Sequence, residues 1–198
     1  MARPRSFDER AVLTIARDRF RATGYAATSI DDVAAAVGLG KGSLYGAFGD
    51  KYQLFRRVFD DYCADMGTMA HALFTGPDDG ALDRLRTGIR AVVAAMTEGE
   101  VSGGCLLARG IAELGDRDPE IGARALEAFE MLESLLAGCI EQAQRTGDLD
   151  ADADPKALAG MLFAVMRGVE SLARAGLSQD QLYARLDTAV AMLPRPTR

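Results

Sequence analysis

Two short stretches of helical periodicity meet across only three residues near the N-terminus, and that junction restricts the fold more than any other feature. In the run TSIDD, Thr28 or Ser29 can cap free helix amides, after which Ile30, Val33, Ala34 and Val37 form one apolar face. The pattern stops at Gly38-Leu39-Gly40, and the next segment, GKGSLYGAFGDK over residues 40–51, holds four glycines. A glycine inside a helix costs about 1 kcal/mol relative to alanine, so something must come close enough to require them. Two helices crossing steeply over a tight turn need a small residue where they touch, a glycine at the turn, and apolar residues holding the second helix on the first. Ala34, Gly38 and Leu44 meet those needs over residues 29–48, with Val33, Val37, Leu39 and Phe48 completing the core and Lys41, Ser43 and Tyr45 left facing outward.

The rest of the chain is also helical in period. Ala11, Val12, Ile15, Ala16 and Phe20 recur at helical spacing between Asp8 and Arg21, and Gly24 is expected to end that helix. Asp50 can cap a longer helix carrying Leu54, Phe55, Val58, Phe59, Tyr62, Met66, Met69 and Leu73, which TGPDDG breaks. Further helices are predicted at about residues 81–97, 105–114, 119–145, 155–175 and 179–193, with turns at EGEVSGG, GDRD, TGDLDADAD and AGLS between them. Asp118-Pro119 and Asp154-Pro155 each read as a capping residue followed by proline at the first helical position. No strand pattern competes, and with alanine abundant and tryptophan absent the expectation is an all-α fold of nine helices. Three are short, one is a longer connector, and five pack as a separate bundle.

Charge is uneven along the chain. Residues 1–60 carry ten Lys/Arg against seven Asp/Glu, a balance of +3, so the remainder carries −9 of the total −6. A basic head on an acidic body suits a protein that touches a polyanion at one end only. Cys63, Cys105 and Cys139 are too few and too scattered for a disulfide scaffold. No signal-peptide core or membrane span is evident, so the expected setting is a reducing cytoplasm. Enzyme classes built on helical bundles find no support. His71 is the only histidine and Thr68 stands three before it, which excludes paired Glu-x-x-His ligands for a di-iron centre. The isolated cysteines do not suit zinc, and without strands there is no strand-borne phosphate loop. Neither a catalytic residue, nor a metal, nor a cofactor is expected.

The stretch GYAATSIDDVAAAVGLGKGSLYGAFGDKYQLF resembles the DNA-binding domain of TetR-family transcriptional regulators, through Gly38, the run Lys41-Gly42-Ser43-Leu44-Tyr45, Phe48 and Asp50-Lys51. The resemblance implies a DNA-binding domain over residues 6–66 and an effector-binding and dimerisation domain over 67–198. It further implies a homodimer in which helices 1 to 3 bind a palindromic operator on double-stranded DNA, helices 4 to 7 surround a small-molecule effector, and helices 8 and 9 form most of the dimer interface. Repression is the family default, with ligand binding changing the separation of the two heads and releasing the operator. On this pattern Lys41 and Lys51 neutralise phosphates, the Tyr45 hydroxyl donates to a phosphate, Ser43 and Gly42 lie against the DNA, and Thr28 or Ser29 presents a hydroxyl and helix amides. The family often has an aromatic or histidine before Phe48, where this chain has Gly46 and Ala47. Long side chains for base edges are therefore scarce, and DNA shape or a minor-groove arm made by Arg3 and Arg5 is expected to contribute to specificity.

The effector region has a fainter signature. Met66, Met69, Met96, Met131, Met161 and Met166 supply adaptable apolar walls for a hydrophobic ligand, with Met66, Met96, Met166 and Phe129 as pocket candidates and His71 as a hydrogen-bonding candidate. Cys105 follows two glycines near a predicted helix N-terminus, where amides and dipole stabilise a thiolate, so its modification is a second conceivable route to derepression. Leu158, Leu162, Phe163, Val165, Met166 and Leu172, with Leu182, Leu186, Val190 and Leu193, are assigned to the homodimer interface, with some of that surface buried within the subunit.

Overall fold

The computed structural model describes residues 7–97 and 104–196. Arg3 and Arg5, and residues 98–103, lie outside them. Nine helices and no strand are described: α1 Glu9–Ala27, α2 Ile30–Val37, α3 Lys41–Phe48, α4 Lys51–Phe74, α5 Ala81–Thr97, α6 Leu106–Leu114, α7 Pro119–Arg145, α8 Pro155–Arg174 and α9 Gln179–Ala191. No helix among these residues is long and apolar enough to cross a membrane.

Local chemistry sets most of the boundaries. Asp8 accepts from the Arg10 amide to start α1. Gly24, at φ 87° and ψ 170°, breaks that helix without ending it, and α1 resumes to Ala27. Ser29 and Asp32 form a capping box at the start of α2, and Gly38 ends it in the left-handed conformation that glycine tolerates best. Asp50 accepts from the Gln53 amide at the start of α4, and Asp154 from the amides of Lys156 and Ala157 at the start of α8.

The described residues fall into two compact units, one within Met1–Ala64 and Val101–Ala125, the other within Asp65–Glu100 and Leu126–Arg198. In the first, Phe20, Tyr25 and Phe55 meet edge to face at centroid separations of 5.1 and 5.0 Å about Phe55. Gly110 of α6 sits so close to Phe59 that a Cβ there would lie 2.6 Å from its ring. In the second, α5 packs on α8 and α9, and α8 on α9. That packing shows which part of the assigned dimer set is buried within the subunit: Leu162, Met166, Leu182, Leu186, Val190 and Leu193. Among the residues α8 leaves exposed is a stripe of Ala157, Met161, Ala164, Gly168 and Leu172, of which only Leu172 belongs to the assigned set, and Ala184 and Thr188 are exposed on α9.

Candidate functional site

Helix α3 is fixed by two residues and bare elsewhere. Leu44 and Phe48 are 0% and 4% exposed, and the Arg57 guanidinium lies 5.1 Å from the Phe48 ring. Lys41, Gly42, Ser43, Tyr45 and Gly46 are exposed, Tyr45 as one of the few large exposed hydrophobics. Neither Gly42 nor Gly46 has a positive φ, and a Cβ on either would meet nothing within 4 Å. Nothing described inside the protein therefore calls for glycine at these two positions. The N-cap, Gly40, brings no side-chain acceptor to the first turn of α3, which favours an anion there.

The charged groups around α3 are held by partners that sequence reasoning missed. Lys41 Nζ lies 2.8 Å from Asp31 on α2, and the hydrogen bond and charge of Asp31 raise the ammonium above its ordinary 10.5. Exposed pairs of this kind are weak, so a phosphate can replace the carboxylate. Lys51 Nζ rests 4.5 Å from the centroid of the Tyr25 ring and donates to the Ala26 carbonyl at 3.3 Å. Tyr25 belongs to the GYAATS run, but an aromatic following a helix-breaking glycine gave no hint that it would support a lysine 26 positions later. Ser29 is exposed, and its hydroxyl accepts from the Asp32 amide at 3.0 Å and donates to the Asp32 carboxylate at 2.7 Å. The bond from the Ser29 hydroxyl, and after it the Ser29 amide donating to the same carboxylate at 3.1 Å, depress the Asp32 carboxyl. Thr28 departs from expectation as a DNA contact: it is 3% exposed, and its hydroxyl donates to the Gly24 carbonyl at 2.6 Å while meeting Thr23 at 2.7 Å. The hydroxyl closes the broken end of α1, and the capping role falls to Ser29.

The six candidate effector residues do not form one cluster. Met66, His71, Met96, Phe129 and Met166 belong to the second unit, whereas Cys105 belongs to the first. Met96 and Met166 are buried, Met66 and Phe129 half-buried, and His71 is exposed in the last turn of α4. Cys105 is the N-cap of α6, as its position after Gly104 suggested, but it is wholly buried. The residue that draws Met96 and Phe129 together is Arg167, which the sequence gave no reason to choose. Its guanidinium lies 5.7 Å from the Phe129 ring and 5.4 Å from the Phe163 ring, with Nη2 3.1 Å from Met96 Sδ and Nη1 2.8 Å from the buried Glu170. Arg167 Nε is buried without a hydrogen-bond partner among the described residues. Elsewhere in this unit an open groove of about 350 Å³ is lined by Arg86, Thr87, Arg90, Ala91, Ala94 and Tyr183, none of them a candidate. No group of His, Cys, Asp and Glu among the described residues is arranged to hold a metal ion.

Two family models match the chain. Residues 12–58 match the model described as bacterial regulatory proteins, tetR family, and residues 81–190 match the tetracyclin repressor-like C-terminal domain. The HTH-type transcriptional repressor ComR of Escherichia coli (strain K12) is 27% identical over 192 residues, covering 97% of this chain and 91% of that protein. A regulatory protein TetR from Rhodobacter sphaeroides superimposes with a TM-score of 0.82 at 23% identity, over 93% of this chain and 97% of that one, which is a likeness of fold. A cysteine mutant of the TetR family transcriptional regulator CifR, complexed with a 26-bp double-strand operator DNA, is 27% identical with a TM-score of 0.79, over 98% of this chain and 100% of that one.

Proposed function

The chain belongs to the TetR family of transcriptional regulators, and on that premise we propose that it is a homodimeric repressor that leaves a palindromic operator when a small, hydrophobic effector binds. The observation that carries the DNA-binding part is α3, which keeps two glycines that nothing described within the protein requires and exposes Lys41, Ser43 and Tyr45 beside them. Removing two Cβ atoms lets the helix lie closer to a phosphate backbone, at a helix-propensity cost of about 1 kcal/mol each. Lys41, Lys51, Ser29 and the Tyr45 hydroxyl supply phosphate contacts, which position the protein without specifying sequence. Residues 6–66 serve DNA and 67–198 serve the effector and dimerisation. The CifR complex with its operator supports this assignment by likeness.

The effector part rests on Met96, Phe129 and Phe163 around Arg167, an apolar surround with one charged donor group, with Met166 buried in the same unit. Complete burial of Cys105 favours ligand binding over thiol modification as the release signal. Dimerisation uses the exposed small-residue stripe of α8 with Ala184 and Thr188 of α9, where short side chains allow close helix approach.

Selection of bound sequences from a random DNA pool, followed by titration at several salt concentrations, tests the reading. The wild-type chain is expected to enrich a roughly palindromic site and to lose affinity steeply with salt, and Lys41→Ala with Tyr45→Ala is expected to abolish selective binding. Dimerisation without enrichment of any sequence would instead indicate a helical interaction protein.

A further inference from the structure

Helix α1 is broken at Gly24 and resumes for three residues before α2 begins. Such a break strips the carbonyls before it and the amides after it of their helical partners. Helix α6 supplies both kinds of partner. Arg109 Nη1 donates to the Arg21 carbonyl and, at 2.9 Å, to the Ala22 carbonyl, while the Glu113 carboxylate accepts from the Ala26 amide at 2.8 Å. Arg109 and Glu113 lie one turn apart on α6 with Nε and Oε1 3.6 Å from each other. A further bond runs the other way, from Arg21 Nε to the Gly104 carbonyl just before α6, at 3.0 Å. Gly24 fits this arrangement sterically as well as through its φ of 87°, since a Cβ there would lie 2.0 Å from Glu113 Oε1.

The helix that makes this clamp lies outside the N-terminal family match at 12–58 and inside the C-terminal match at 81–190, yet it packs in the same compact unit as α1. The clamped peptide also has a second side: the Ala26 amide is held by Glu113, and the Ala26 carbonyl accepts from Lys51. Thr28, which closes α1, and Ser29, which caps α2, follow two and three residues later. We infer that Arg109 and Glu113 are positioning residues for DNA binding, fixing the broken end of α1 so that α2, α3 and Lys51 are held ready for the operator. The inference rests on the DNA-binding reading above, and it gives the C-terminal part of the chain a direct grip on the helix-turn-helix.

The test uses the full chain and the site enriched by the wild type. Arg109→Met and Glu113→Leu are each expected to weaken operator binding about tenfold, the size of one charge-assisted hydrogen bond, with the salt dependence unchanged because neither residue touches phosphate. Glu113→Gln keeps an oxygen for the Ala26 amide and is expected to stay within about threefold of wild type. Unchanged affinity in folded Arg109→Met and Glu113→Leu would overturn the inference. So would a salt slope reduced by about one in Arg109→Met, which marks a phosphate ligand. Should either variant fail to fold, amide exchange in the wild-type chain decides: protection of Ala26 matching the interior of α1 supports the clamp, and exchange at the free-peptide rate refutes it. A wild-type chain that enriches no sequence defeats the DNA-binding reading instead, and Ala26 exchange then speaks for the clamp as structure alone.

Discussion

At the scale of single residues, the glycines of α3 set stability against function. Gly46 lies inside α3 with negative φ and open space where a Cβ would go, so Gly46→Ala is expected to stabilise the free protein by up to about 1 kcal/mol through helix propensity. The same methyl group is expected to lower operator affinity at least about tenfold by holding α3 off the DNA. Thermal midpoints and operator titrations on the one variant check both halves, and a variant that gains stability with full affinity would remove Gly46 from the interface. The need for small residues here was legible in the sequence, because several glycines in an otherwise helical run demand a reason. Their division of labour was not: Gly38 and Gly49 take positive φ of 67° and 78°, whereas Gly40, extended at the N-cap, and Gly42 and Gly46, inside α3, have negative φ and open space where a Cβ would go. Thr28 shows the complementary limit. Adjacent Thr28 and Ser29 looked equally fit to face a phosphate, and only the break at Gly24, whose carbonyl takes the Thr28 hydroxyl, turns one inward and leaves the other as the cap.

At the scale of elements, the capping signals were the most readable part of the chain, and Asp118 shows why they carry more than a boundary. Its carboxylate accepts from the Glu120 amide at 3.1 Å and the Ile121 amide at 3.4 Å at the start of α7, and from the Tyr52 hydroxyl of α4. The Tyr52 bond first, and the two amides after it, hold the Asp118 carboxyl below its ordinary 3.8. A carboxyl depressed in the folded state stabilises fully above its unfolded pKa, and that contribution is lost as pH falls through the folded value. Asn can cap a helix but neither ionises nor titrates, so Asp118→Asn is expected to be less stable than wild type near pH 7 and to lose less stability as pH falls from about 5 to about 3, the two curves converging in acid. Urea midpoints across that range check it, and parallel curves would show that Asp118 does not titrate differently on folding. The placement of α6 was less readable. Its periodicity gave an apolar face but no partner, because the residues that choose the partner are Gly110 beneath Phe59 and the polar pair Arg109 and Glu113. A glycine and two charged residues look like surface in a hydrophobic pattern.

At the scale of the whole molecule, the charge division and the exposed stripe of α8 lead to the same assembly. A body carrying −9 is repelled by DNA while residues 1–60 carry +3, so in the proposed homodimer affinity for a palindromic operator would come from presenting two heads to one duplex. Exposed Met161 and Leu172, 41% and 37% accessible in the single chain, lie on the stripe with Ala157, Ala164 and Gly168 between and beside them. Single exposed apolar residues need no explanation, but a row at helical spacing flanked by small residues is the composition of a helix-packing face. Paired substitution Met161→Glu with Leu172→Glu places like charges across a two-fold contact, where each would face its own copy or a near neighbour. The expected outcome is a folded monomer by light scattering with unchanged helicity. Its binding to a single half-site is expected to match wild type, while its advantage on the full palindrome falls by about a hundredfold or more, the gain that linking two heads confers. A dimer that survives both substitutions would move the interface off α8. A monomer that retains full palindrome affinity would show that the two heads bind without being joined, and would refute the claim that one duplex is read by a linked pair.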